Sequence, residues 1–363
     1  MVKGSFEQAS LSVERTTRGK VAKRQAEELA VAVARDFKAF YESKRKERHA
    51  LSDDLLIISV DGKGVVMRPD ALREATRKSA EKQNHKLQTR LSKGEKRNRK
   101  RMATVATVYS IERHERTAES IMGDQDEANQ SEKPRAKDKR VWASVENDSE
   151  RVIQEALEEA LSKDPKQKRQ WVVLVDGQEQ QIKYIKSCAK RLGVKVTLVL
   201  DFIHVLEYLW KAAYCFEAEG SEAAEESVRA RALNILHGNA GNVAAGIRRS
   251  ATLRGLSEKE RAAADASADY LLKYTDMMHY DRYLADGFPI ATGVIEGACR
   301  HLIKDRMDIT GARWGLETAE AVLKLRSLYT SGDFDEYLQY HKKAEFERVH
   351  RSRYATYPLS QSA

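Results

Sequence analysis

The sequence predicts an α/β protein, with a mixed sheet in the order β-β-β-α-β-α-β-α and a large all-helical insertion before its last functional helix. Three observations carry this. Residues 55–60 (LLIISV) and Trp171–Val175 (WVVLV) are continuous apolar, β-rich runs, each closed by Asp-Gly. Around and after the second run, stretches of helical period alternate with strand-like runs. From residue 202 to 285 no strand-like run occurs at all.

Taken in order, residues 1–50 read as mostly helix, because 20–48 places Ala, Leu, Val and Phe at helical spacing with no Pro or Gly after Gly19. The first strand is 55–60, ending at Asp61. Residues 64–68 (GVVMR) read as a second strand folded back on it, and 102–111 (MATVATVYSI) as a third. The polar stretch 112–139 reads as a surface excursion. Residues 148–161 predict an amphipathic helix begun by Asn147 or Asp148, and Asp164-Pro165 stops it. After the Trp171 strand come Asp176-Gly177, a helix over 178–192, a turn at Gly193 and a strand over 194–200 that ends in Asp201. Helices are expected at 203–216, 221–237 and 258–279. Thr292 then caps a helix on which Glu296, Arg300 and Lys304, four apart, share one face. A further helix over 318–329 breaks at Ser331-Gly332, and the basic tail beyond His341 is expected to be loosely held. The organisation is therefore an N-terminal helical region (1–50), a core in two parts (51–204 and 291–330), an insertion (205–290) and a C-terminal tail (331–363). There is no internal repeat.

Charge narrows the partners. The chain has 363 residues, 33% of them charged, and a formal net charge of +9. Residues 71–101 hold twelve Lys/Arg against three Glu, so the excess there equals that of the whole chain. Such a run is a solvated face or an arm that neutralises phosphates. Lying between two strands and next to a candidate catalytic Asp, it offers Lys96, Arg97, Arg99, Lys100 and Arg101 to DNA. Aromatic residues do not interleave with it, so base stacking is not indicated. No apolar run is long enough to span a bilayer, and the N-terminus lacks the pattern of a signal peptide. Cys188, Cys215 and Cys299 have no metal or redox spacing. A soluble, cytoplasmic protein without a membrane partner is expected.

The candidate chemistry rests on carboxylates. Two Asp at strand ends and one Glu on a later helix suit a two-metal site for phosphodiester chemistry, since Mg²⁺ (or Mn²⁺) takes hard oxygen ligands from few carboxylates plus substrate phosphates. Asp61, Asp176 and Glu296 are the expected ligands and catalytic residues, with Asp61 bridging two ions. Asp201 rivals Asp176, because it also ends a strand. With His204, three residues on, it either binds metal or phosphate or is an N-cap beside a core histidine. Arg300, Lys304 and Arg306, following Glu296, are either phosphate contacts or a solvated basic face. Trp314, between Gly311 and Gly315, reads as core or as a surface against flanking DNA.

Four stretches, IISVDGKGVVMR, WVVLVDG, LVLDFIHVLEYLW and TGVIEGACRHLIKDRMDITGARWG, span most of residues 51–330 and resemble the bacterial insertion-sequence transposases of the ISKra type, relatives of the Mutator-like DDE transposases. The last stretch is the most distinctive. The resemblance implies a ribonuclease H-like catalytic domain. It also implies metal-dependent cleavage at transposon ends, strand transfer into target DNA, and a homodimer in the synaptic complex. It implies a bacterial protein, nucleoid-associated when active. Asp61, Asp176 and Glu296 match the family's acidic triad, and Asp201 with His204 matches its Asp/Cys-x-x-His element, which favours Asp176 as the second ligand. Residues 205–290 match its insertion. The family carries a longer N-terminal region, often with zinc-type Cys pairs. Here about 50 residues precede the first strand and no Cys pair exists, so this region is read as the remnant of a longer one. The alternatives are a catalytically silent DNA-binding remnant and another ribonuclease H-like nuclease.

Overall fold

A computed structural model describes residues 4–46, 54–82, 99–123, 133–309 and 311–351 of the chain. Three helices come first, α1 (Phe6–Thr17), α2 (Lys23–Val33) and α3 (Phe37–Lys46). The core then runs β1 (Leu55–Val66), α4 (Glu74–Glu81), β2 (Lys100–Ile111), α5 (Ala118–Met122), β3 (Lys137–Ser144), α6 (Ser149–Lys163), β4 (Trp171–Val175), α7 (Glu179–Leu192) and β5 (Thr197–Leu200). The strands form one mixed sheet in the order β3-β2-β1-β4-β5. β1 is antiparallel to β2 and β2 to β3, whereas β1, β4 and β5 are parallel.

Two expectations about strands are corrected. β1 does not stop at Asp61 but continues to Val66, paired throughout with β2, so 64–68 is no separate strand and Asp61 lies within β1. The glycines that suggested a turn instead mark close approach. A Cβ on Gly62 would come 3.3 Å from Met102 Cε, and one on Gly64 would come 2.8 Å from Lys100 Cδ. The third strand of the meander is β3, whose first residues lie in the stretch expected to be a surface excursion. Its charged start is accommodated because Arg140 buries its guanidinium between Tyr41 (3.8 Å) and Trp142 (4.5 Å) and pairs with the buried Glu159 of α6.

Side chains alternate across the sheet and feed two cores. Val60, Ala106, Val108 and Trp142 join Val152, Ile153 and Leu157 of α6 and Ile182 and Ile185 of α7. Val65, Ala103, Val105, Val141 and Ala143 face the opposite core. A fully buried aliphatic side chain contributes roughly 1.5–3 kcal/mol, and Leu55, Leu56, Ile57, Val172 and Val173 have no exposed surface. α6 starts where expected, with Asp148 capping the Arg151 amide.

The insertion is helical: α8 (Phe202–Ala213), α9 (Glu222–Leu236), α10 (Ala240–Leu253), α11 (Glu258–Lys273) and α12 (Tyr280–Ala285). α10 is an addition to the three helices expected there. The insertion is fastened to the sheet by tyrosines of α12: Tyr280 Oη donates to the Leu200 carbonyl at 2.8 Å and Tyr283 Oη to that of Leu198 at 3.3 Å. α13 (Gly293–Cys299) passes into a π-helical turn, Arg300–Lys304, and an α-turn, Asp305–Met307. α14 (Leu316–Ser331) packs on β3, and α15 (Phe334–Phe346) follows. The described part of the segment after His341 is not loose, since α15 continues through it to Phe346; residues 352–363 of the expected tail lie outside the described residues. Tyr337 and Tyr340 pack on Phe40 of α3, while His341 and Arg348 both bond Asp36 at 2.7 Å. Among the described residues no helix is long and apolar enough to cross a membrane.

Candidate active site

The register of the parallel strands aligns three aspartates. Ser59 is level with Leu174, so Asp61, two residues on, falls level with Asp176. Val175 is level with Leu200, so Asp176 falls level with Asp201. Adjacent strands lie about 4.8 Å apart, and the row therefore spans about 10 Å along the sheet edge.

Their surroundings differ. Asp61 is half-buried. Its register partner on β2 is Val105, which faces the second core; Oδ1 accepts from the Gly62 amide at 2.6 Å and Oδ2 faces the Cys299 thiol at 3.1 Å. Asp176 is also half-buried, and its Oδ1 accepts from the Gln178 amide at 2.8 Å, which turns the chain into α7. Its backbone carbonyl accepts from Tyr270 Oη at 3.0 Å, and that of Gly177 from Tyr274 Oη at 2.5 Å. Asp201 has no exposed surface. Its Oδ1 caps α8 by accepting from the Ile203 amide at 2.9 Å, and Oδ2 accepts from the Thr292 hydroxyl.

α13 bridges the row. Thr292, at its start, touches Asp201, and Cys299, at its end, touches Asp61. Seven helical residues rise about 10.5 Å, which matches the span of the row. Glu296 shares the face of Thr292 and Cys299 at i+4 and i−3 and is exposed. Burial first, and the Asp61 carboxylate second, push the Cys299 thiol far above its ordinary range, so it stays protonated beside Asp61. Neither protein-family models nor curated proteins give a match to this chain.

Asp61, Asp176, Asp201 and Glu296 form no ion pair with Lys or Arg among the described residues. The one group of acids and histidine there whose ligand atoms all lie within 4.8 Å is Asp36, His341 and Glu345. Arg348 pairs with both acids of that group, so it is an ion-pair cluster at the α3–α15 contact. The carboxylates of the row are spread more widely, and their oxygen-only donor set fits hard cations shared with a phosphate ligand. Among the described residues, Asp176 and Glu296 have a carboxylate oxygen without a protein donor, and Asp61 Oδ2 is met only by the weakly donating Cys299 thiol, whereas both Asp201 oxygens are held by an amide and a hydroxyl.

The other expected residues fall as follows. His204 faces Glu207, with Nδ1 3.6 Å from Oε2. Lys96 and Arg97 lie outside the described residues. Arg99 and Lys100 are half-buried at the start of β2, and the Lys100 stem lies over Gly64. Arg101 is engaged by the protein itself: it donates to the carbonyls of Val145 (2.7 Å), Ala71 (3.3 Å) and Glu146 (3.3 Å). Arg300 and Lys304 are exposed, with Arg300 Nε 3.6 Å from Asp305. Arg300 keeps the α-helical bond of its amide to the Glu296 carbonyl, but the π-turn that follows widens the helix, so Lys304 does not continue that face at four-residue spacing. Arg306 is buried, and Trp314 is core, its Nε1 donating to the Met307 carbonyl at 3.1 Å. Sequence reasoning gave Cys299 no role and missed Tyr270 and Tyr274. The spacing of the tyrosines by four on a predicted helix was their only signal. Thr292 was expected as a simple cap, yet its hydroxyl serves Asp201.

Proposed function

We propose that this chain is a metal-dependent DNA strand-transfer enzyme of the DDE type, built on a ribonuclease H-like core. The strand order β3-β2-β1-β4-β5, with the first three strands antiparallel and the last two parallel to β1, supports that core. One observation carries the activity: Asp61 on β1 and Asp176 just after the parallel β4 fall level, neither in an ion pair among the described residues, and the helix bearing Glu296 is tied at one end to Asp61 and at the other to Asp201. Like charges this close disfavour one another unless a cation joins them. Asp61, Asp176 and Glu296 would hold two Mg²⁺ ions, which when bound activate the attacking water or 3′-hydroxyl and stabilise the leaving oxygen.

The chain's own groups supply orientation. Gly62 and Gln178 amides fix one oxygen each of Asp61 and Asp176; the other Asp61 oxygen faces the Cys299 thiol, which a cation would displace. The Asp201–Thr292 pair fixes the start of α13, and Tyr270 and Tyr274 hold the Asp176–Gly177 turn. The DNA backbone would pass over the edge row, with the exposed Arg300 and Lys304 beside it.

The test is plasmid nicking and joining of a 3′-hydroxyl oligonucleotide in Mg²⁺ or Mn²⁺. Asp61→Ala, Asp176→Ala and Glu296→Ala should each abolish both reactions while DNA binding in Ca²⁺ persists. Wild-type rates in Glu296→Ala would refute the triad. Nicking without joining would make the protein a nuclease, and binding without either would make it a silent DNA-binding remnant.

A further inference from the structure

Arg306 is the unexplained charge of this fold. It follows the π-turn after α13, is 4% exposed, and lies between the rings of Phe6 (5.1 Å) and Trp314 (4.7 Å). Its Nε is buried without a hydrogen-bond partner, and no carboxylate lies within ion-pair distance among the described residues. Burial first, and the buried cation Arg326 second, lower the guanidinium's pKa. Glu27 attracts it from beyond pairing distance. Buried charges are ordinarily paired, because removing one from water without a counter-charge is costly. Aromatic faces offset only part of that cost.

Arg306 lines a cavity of about 450 Å³ whose wall also holds Arg68, Arg313 and Lys23, against Glu7 and Glu27. Gly315 and Thr318, at the start of α14, line it too, and that helix has no side-chain cap, so its first amides are open to an acceptor. The cavity is fixed rigidly to the sheet. The Arg68 amide donates to the Trp314 carbonyl at 2.8 Å, and the Trp314 amide donates to that of Val66 at 3.1 Å. Val66 is five residues beyond Asp61 on β1, about 17 Å, which is about five steps of B-form DNA.

We propose that this cavity is a phosphate-binding pocket in which Arg306 takes a backbone phosphate of DNA lying across the Asp61–Asp176–Glu296 edge. The identity of the ligand rests on the function proposed above; the demand for an anion does not. Arg68 and Arg313, both exposed, flank the entrance, and the α14 amides complete the oxygen cradle.

The test uses the full chain and the variants Arg306→Met, Arg306→Lys and Arg68→Ala/Arg313→Ala. Inorganic phosphate should raise the Tm of the wild type and not that of Arg306→Met. Without phosphate, Arg306→Met should melt no lower than wild type, since it removes an unpaired buried charge and keeps the stacked stem. Its affinity for a fluorescent duplex in Ca²⁺ should fall, and the slope of log K against log salt should lessen by about 0.9, the share of one phosphate. Arg306→Lys should recover part of the affinity. Earlier melting of Arg306→Met with unchanged affinity and slope overturns the proposal and makes Arg306 a packing cation. If Arg306→Met does not fold, unchanged affinity and slope in the Arg68→Ala/Arg313→Ala protein overturn it equally. Phosphate protection with DNA affinity unchanged in every variant overturns DNA as the ligand. A wild type that binds no DNA removes the proposed function, while the phosphate arm still decides the pocket.

Discussion

Thr292→Val tests the pinning of the Glu296 helix. The wild-type hydroxyl donates to Asp201 Oδ2, on a carboxylate with no exposed surface whose other oxygen is held by the Ile203 amide. Valine is nearly isosteric, so no cavity forms; the change leaves one buried anionic oxygen without a donor. A hydrogen bond to a charged group contributes about 1.5–3 kcal/mol, and stranding such a group costs at least that much. For a chain of this size, that corresponds to a loss of only a few degrees in Tm. The larger effect should be local. α13 is tied at its start to Asp201 and at its end to Asp61 through Cys299, and Glu296 lies one turn from the tie that is cut. Loss of a partner that orients a metal ligand lowers metal affinity or activity by about 10–100-fold. Nicking at a series of Mg²⁺ concentrations should therefore show a raised metal requirement, with partial recovery at high Mg²⁺. Asp201→Asn is the control: its amide can donate to the Thr292 hydroxyl while its oxygen still caps α8, so it should be milder. Unchanged nicking and unchanged Tm in Thr292→Val would refute the idea that this pair places Glu296.

Three further outcomes follow from particular contacts. Gly177 has φ +92°, and a Cβ there would come 2.9 Å from Tyr270 Oη, which is stacked on Tyr208 at 3.7 Å. Gly177→Ala should cost about 1–3 kcal/mol or more in chemical denaturation, and a wild-type midpoint would contradict this. For Asp164, burial pushes the carboxyl up, but hydrogen bonds from Trp171 Nε1 and the Arg169 and Lys168 amides outweigh it and hold the pKa below the ordinary range. Its contribution is present above the unfolded pKa and is lost as pH falls through the folded one. Asp164→Asn should thus blunt the acid loss of Tm seen in the wild type, and parallel melting curves against pH would refute that. Glu320 has the opposite sign: burial raises its pKa although it accepts from the Val145 and Glu146 amides and Ser144. Its contribution is full below the unfolded pKa and is lost as pH rises through the folded one. Glu320→Gln should therefore gain on the wild type as pH rises from the acid side to neutrality, and a gap independent of pH would exclude it.

What the sequence disclosed of the fold follows the range over which each signal acts. α6 and α7 were legible because cap, period and stop are all local: Asp148, the apolar positions at helical spacing, and Gly193. β1 was misjudged because a glycine's meaning depends on what approaches it. Gly62 and Gly64 resemble turn residues until Met102 and Lys100 are brought over them by the pairing with β2. β3 was hidden for a related reason. Lys137, Asp138, Lys139 and Arg140 look solvated, and only the Glu159 partner and the flanking Tyr41 and Trp142 rings make Arg140 an interior residue. α10, with Gly241 and Gly246 inside it, lacks the propensity that would announce a helix, and its buried face of Val243, Ala244 and Ile247 decides the matter.

The candidate site shows where such reading stops. Asp61, Asp176 and Asp201 share one chemical type and one level in the sheet, and each follows an apolar run. Nothing local separates a ligand from a strut. The separation comes from how many donors reach each carboxylate. Asp201 is met by a backbone amide on one oxygen and a hydroxyl on the other, with no water-facing surface, so a cation could be reached only by breaking a satisfied buried group. Asp176 is met by one amide and remains half-exposed. Asp61 is met by its neighbour's amide and by a thiol, the weakest donor among the side chains here and one that a hard cation displaces at small cost. The three therefore rank by how readily they exchange a protein donor for a metal. Under the proposed function, that ranking gives Asp61 and Asp176 to the metal and Asp201 to holding α13, the helix that carries Glu296.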